Sequence, residues 1–122
     1  MRIKVLTLEV NHEMKGIFPN VRIIENSLEN FYKIIGCDLI DIVQIEVAGK
    51  FYDVICDEEF LLKEKPVPTL FVNSEQVLCG NLIFTTCDEN GKTQGLTDED
   101  IQNLTTYIIN QAFELRKYLS EI

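Results

Sequence analysis

Apolar residues recur with period two through the first part of the chain and with period three to four through the last part. The pattern predicts strands first and a long helix at the end. RIKVLTLEV (2–10) alternates through Ile3 and Val5, then through Leu6, Leu8 and Val10. Such a change of phase fits a strand with either a bulge or two covered faces. A turn-rich connection, NHEMKGIFPN (11–20), leads to a second short strand, VRIIE (21–25), expected to pair with the first. Ser27 then precedes LENFYKII, where Leu28, Phe31, Ile34 and Ile35 share one helical face and Gly36 stands where a left-handed cap would sit.

LIDIVQIEV (39–47) and FYDVICD (51–57), joined by AGK, read as a hairpin, since a Gly in so short a connector is the usual hairpin signal. Residues 58–63 fit a helical turn or an irregular loop, and Pro66 and Pro68 exclude a central strand there. QVLCG (76–80) and NLIFTTC (81–87) read as strand segments separated by a turn or bend at Gly80-Asn81.

The segment TTCDENGKTQGLTDEDI (85–101) crowds acids, a cysteine and an Asn-Gly pair together, and ordinary turn chemistry accounts for it. Asn90-Gly91 is the dipeptide that type I′ hairpin turns favour, and Asp88 and Glu89 lead into it. An EF-hand calcium loop needs oxygen ligands at alternate positions before a Gly at the sixth, a spacing absent here. Thr97 followed by Asp98, Glu99 and Asp100 marks a helix start, with acids at the positive end of the dipole. Asp100 stands where a capping box normally has Glu or Gln, which predicts a weaker reciprocal bond. Ile101, Leu104, Ile108, Ala112, Leu115 and Leu119 then mark a long amphipathic helix. A second apolar set, Tyr107, Ile109, Phe113 and Tyr118, widens its apolar arc and leaves room for a partner or second protomer, unless loops or the first helix cover it.

These elements predict a single α+β domain over residues 1–122. Its sheet is mostly antiparallel, twisted and built from hairpins, with the short helix and the long C-terminal helix packed on one face.

Composition narrows the function classes. The 122 residues are 46% hydrophobic and 25% charged, enough for one core without staples. Twenty acids against 11 basic residues give a net charge of −9, which argues against nucleic acid and against an anionic membrane surface. The charge is compatible with a basic protein partner, but mere solubility is the more common reason for such acidity. MRIKVLTLEVNHE lacks the uninterrupted apolar core of a signal peptide, and no later run is long enough to span a bilayer, so a cytoplasmic location is expected. Cys37, Cys56, Cys79 and Cys87 form no CxxC pair and sit beside apolar residues, as reduced, buried thiols do.

Catalytic chemistry finds little support. His12 is the one histidine and falls in an expected loop, and neither GxxxxGK[ST] nor GxGxxG occurs. Asp53 with Asp57, or Asp38 with Asp41, are carboxylate pairs by proximity alone. NLT (103–105) matches a glycosylation acceptor but falls inside the long helix. No catalytic residue, metal or cofactor is expected.

Read together, IKVLTLEV, SLENFYKIIG, VICDEE, the Gly-containing segment VLCGNLIFTTC and the helix start LTDEDI make the chain similar to a family of small uncharacterised proteins from bacteria, phages and conjugative elements. The resemblance covers most of the chain in order of elements, carried by turns and caps. It departs where FLLKEKPVPT stands in place of a Gly/Leu/Pro-rich segment, and it transfers no catalytic residue. It implies a non-enzymatic accessory or regulatory protein that binds a basic host or defence protein through an acidic surface. Asp57, Glu58, Glu59, Asp98, Glu99 and Asp100 are the candidate contacts, with Tyr107, Phe113 and Tyr118 as candidate contacts in a homodimer. The alternative is a small enzyme or ligand-binding domain using carboxylates or a thiol.

Overall fold

The computed structural model of the protein describes residues 1–11, 13, 16–59, 67–73 and 76–120, with residues 73 and 118–120 described through their backbone only. The elements are β1 (Arg2–Asn11), β2 (Gly16–Glu25), α1 (Leu28–Ile35), β3 (Ile40–Val47), β4 (Lys50–Asp57), β5 (Pro68–Asn73), β6 (Gln76–Cys79), β7 (Leu82–Cys87), β8 (Thr93–Gln94) and α2 (Asp98–Ser120). The main sheet is antiparallel in the order β2-β1-β7-β4-β3, with β8 added to β7, while β5 and β6 make a separate hairpin. The expected α+β class, with antiparallel pairing and a long C-terminal helix, is the observed one.

The phase change in β1 has its explanation in burial on both faces. Its register with β2 runs unbroken from Arg2↔Glu25 to Asn11↔Gly16, so there is no bulge. Ile3 and Val5 pack with Phe31 and Ile35 of α1, and with Ile55 and Ile83. Leu6 and Leu8 face the other way, toward Tyr52, Val54, Phe84, the β5–β6 hairpin through Leu70 and Leu78, and α2 through Leu104. The two helices therefore lie on opposite faces of the sheet, correcting the expectation that both pack on one. The cause is topological: β2 and β3 are opposite edges of the sheet, so α1 between them must traverse one face, and the other face is left to α2 and the β5–β6 hairpin.

Several local expectations meet their residues. Ser27 caps α1 by accepting from the Asn30 N–H, and Gly36 at φ 79° ends the helix. Ala48 and Gly49, at φ 52° and 79°, form the tight turn between β3 and β4. β2 begins at Gly16, five residues before the expected start. Pro19, read as a turn, sits within it because an edge strand can spare an N–H on its outer side. Pro68 opens β5, a strand outside the main sheet. The reading of residues 58–63 falls outside the described residues from 60 onward, as does His12.

The turn at residues 88–92 forms differently from the type I′ expectation. Gly91 has φ 78°, but Asn90 has no positive φ. Asp88 organises the loop instead: its Oδ1 accepts the N–H groups of Asn90 and Lys92, both at 2.9 Å, and its own N–H donates to the Lys92 carbonyl. The acid read as a mere lead-in is the residue that holds the turn closed.

Candidate interaction surface

The acids expected to form one binding surface divide between the two ends of β4. At one end, Asp100 is 3% exposed and works inside the fold. It accepts from Tyr52 Oη at 2.6 Å, from Lys50 Nζ at 3.0 Å and from the Thr97 N–H at 2.9 Å. Its own N–H donates to Thr97 Oγ1 at 3.1 Å, completing a capping box. The reciprocal bond expected to be weak is thus made, because a shorter acid also reaches Tyr52 and Lys50. Burial acts to raise the Asp100 pKa, but the bonds from Thr97, Tyr52 and Lys50 prevail and hold it at about 2. Burial and the Asp100 carboxylate push the Tyr52 hydroxyl the other way, upward. Beside them Asp98 and Glu99 are exposed, and Asp98 pairs with Lys4.

At the other end, Asp57 is buried and accepts the Glu59 N–H, while Glu58 and Glu59 are exposed. Lys50, bound to Asp100, and Asp57 open and close the same strand, which separates the two acid groups by roughly 20 Å. The six acids do not make one patch, and Asp100 presents nothing to a partner.

A second uncovered feature is apolar. A groove of about 380 Å³ runs between α2 and the β1–β2 hairpin, lined by Leu8, Ile17, Pro19 and Pro68 on one side and by Ile108, Ile109, Ala112 and Leu115 on the other. Arg116 is the charged residue in its wall. Strand alternation extends the surface along β2, where Ile17, Pro19, Val21 and Ile23 point to one face. Ile17, Val21 and Ile23 are 37%, 54% and 62% exposed, and on α2 Ile109 and Phe113 are 55% and 68% exposed. Phe113 lies four residues after Ile109 and three before Arg116, so all three share one stripe of the helix. Of the residues expected at an oligomer contact, Phe113 is on this surface. Tyr107 packs against the core, and the Tyr118 side chain is outside the described residues.

The β2 half of this surface was not among the expected contacts. Its signal is the alternation of Ile17, Val21 and Ile23, which the reading of Pro19 as a turn obscures. The first helix, a candidate cover for the second apolar set of α2, lies across the sheet from it.

Carboxylates and thiols give a weaker chemical site. Asp53 and Asp57 stand four residues apart on β4, and the Asp41 carboxylate accepts the N–H of Ile42 next to it. Asp38 and Asp57, taken from the two expected pairs, instead share an open hollow of about 640 Å³ with Lys33, Cys37 and Glu59. Burial pushes the Cys56 thiol up to about 11 and raises Cys79 as well, while the Asp53 carboxylate raises exposed Cys87. Among the described residues no group of three or more His, Cys, Asp or Glu side chains could hold a metal ion. None of their helices is long and apolar enough to cross a membrane.

The geometry defines a small two-faced α+β domain whose most developed free surface is an apolar strip. Its sequence matches, over residues 3–109, the model of a family described as a domain of unknown function (DUF3846), and the chain belongs to that family. No curated protein and no solved structure matches it. The matched region takes in β1 to β8 and α2 as far as Ile109, so Phe113 and Arg116 lie beyond it.

Proposed function

We propose that this chain is a non-enzymatic protein-binding domain that docks through the apolar strip formed by β2 and the second half of α2. The observation that carries this reading is a groove lined by Ile17 and Ile109, with Val21 and Ile23 following Ile17 on the same face of β2 and Phe113 following Ile109 on the same stripe of α2, all five more than a third exposed. Five large apolar side chains in one uncovered area are a liability for a chain that works alone, and groups of this kind mark interaction sites. The acidic surface offers less: its residues are divided between two ends of the molecule, and Asp100 is committed to Tyr52, Lys50 and Thr97.

On this reading the domain acts in the cytoplasm as a regulatory accessory of a phage or other mobile element. That setting rests on the four free cysteines and on the resemblance of the sequence. The alternative, a ligand or substrate site, has the hollow around Asp38, Asp57 and Lys33 as its best location. Against a thiol site elsewhere stands the upward shift of Cys56, Cys79 and Cys87, which disfavours nucleophilic thiolates; none of the three lines that hollow.

The test is native mass spectrometry of tagged protein recovered from its own cells, comparing wild type with Ile109→Asp and with the double variant Glu58→Lys, Glu59→Lys. Loss of a stoichiometric protein from Ile109→Asp alone supports the reading. Loss from the double variant alone moves the contact to the acidic end and overturns it.

A further inference from the structure

We infer that the occupant of the apolar strip is a second copy of this chain, with Phe113 of each protomer set against the groove of the other. The inference rests on the docking reading above and names its partner. A two-fold interface needs one surface that carries both a projection and a recess. This surface has both: Phe113 projects at 68% exposure on the helical stripe shared with Ile109 and Arg116, and Ile109 and Arg116 belong to the wall of the groove.

Charge favours the same occupant. The chain carries a net −9, yet none of the residues lining the groove is acidic, and Arg116 is among them. The acid nearest to Phe113 in sequence, exposed Glu114, stands about 100° further round the helix and outside the groove wall, while Asp98 and Glu99 open α2 more than three helical turns earlier. The groove itself therefore brings no carboxylate of one copy against the other. A basic partner finds no carboxylate in this groove to pair with.

Area is sufficient. Ile17, Val21, Ile23, Ile109 and Phe113, at 37%, 54%, 62%, 55% and 68% exposure, leave on the order of 500 Å² of apolar side chain open per copy. Two copies bury on the order of 1,000 Å² from these residues alone, the lower limit for a specific interface, and Pro19, Ala112 and Arg116 around them add to it. The edge strand also decides the geometry. Pro19 has no N–H, so another strand cannot pair continuously along β2, and contact is made by the side-chain face.

Sedimentation velocity over about 1–100 µM protein tests the inference. The wild type is expected at twice the chain mass of 14.1 kDa, and 0.5 M salt should not dissociate it, because the contact is apolar and the screened charges are of like sign. Phe113→Glu and Val21→Glu, one on the α2 half and one on the β2 half of the strip, should each weaken the dimer ~100-fold. Both positions are more than half exposed, so the variants should keep the thermal transition of an isolated wild-type chain. A single-chain mass throughout the range overturns the second copy as occupant, as does a dimer that survives both substitutions. If such a monomeric chain still loses a different protein on Ile109→Asp, docking stands and only the occupant was wrong; if it loses nothing, both readings fail.

Discussion

The two halves of α2 are built on opposite terms. The first half is tied down: Asp100 joins Thr97, Tyr52 and Lys50, and Leu104, fully buried, anchors the helix in the core. The second half keeps Leu115 buried but leaves Ile109 and Phe113 in solvent beside a groove. One helix thus serves as a structural beam at its start and as a presented surface further on. The contrast shows why helical periodicity alone misassigns its residues: the apolar arc is wider than the sheet below it.

The sharpest way to break this comparison is to truncate one apolar residue from each half. Leu104→Ala should cost about 3 kcal/mol, the usual loss for a fully buried leucine whose cavity only partly collapses. Phe113→Ser, at 68% exposure, should change the stability of an isolated chain by less than about 0.5 kcal/mol. Urea titrations of dilute protein measure both. Comparable losses at the two positions would mean that the second half is packed as firmly as the first.

The polar anchor comes next. Asp100→Ala leaves the Tyr52 hydroxyl, the Lys50 ammonium and the Thr97 N–H without their acceptor, and should cost about 2 kcal/mol. Asp98→Ala, two residues away and exposed, should stay within about 0.5 kcal/mol even though it releases Lys4, because exposed pairs are worth little. Equal losses would show that the Asp100 network is an ordinary helix cap and not an anchor.

Much of this division was legible in the sequence, and the exceptions have physical causes. Ser27, Gly36, Thr97 and the connector AGK announce caps and a hairpin because their chemistry is local, acting within a few residues. The phase change in β1 already contained the two-faced sheet, but the choice between a bulge and two covered faces depends on which strands lie far apart in the sheet, a long-range fact. The role of Asp100 was hidden for a related reason, since its partners Tyr52 and Lys50 come from a distant strand, whereas that of Asp88 is local and was passed over for the stronger Asn-Gly turn signal. The docking strip was half legible. Phe113 and Ile109 stood out by helical spacing, whereas Pro19 disguised β2 as a turn, since only its place at the sheet edge makes proline admissible there.

The pH dependence sharpens the anchored half further. Asp100 has a folded pKa of about 2, below the ~3.9 of an unfolded aspartate. Its contribution is therefore complete above about pH 4 and is lost as pH falls toward 2. Tyr52 has a raised pKa, so its contribution is complete below the unfolded value of ~10 and is lost as pH rises beyond it. Thermal melts should give a plateau between these limits. Tyr52→Phe should remove the alkaline loss, and Asp100→Asn should flatten the acid one. An alkaline loss of the same size in Tyr52→Phe would show that the hydroxyl does not carry it.

The smallest effect, and the one that bears most on the presented half, lies in how melting depends on protein concentration. A contact made only between copies stabilises the folded chain by mass action, so the wild-type Tm should rise by a few degrees between about 1 and 100 µM. Core substitutions such as Leu104→Ala should lower the Tm at every concentration while preserving that rise, because they leave the strip intact. Phe113→Ser should do the reverse, matching the wild type in dilute solution and losing the rise. A concentration dependence that persists in Phe113→Ser would place the contact elsewhere. One that is absent from the wild type would leave the second half of α2 as a surface reserved for a different protein.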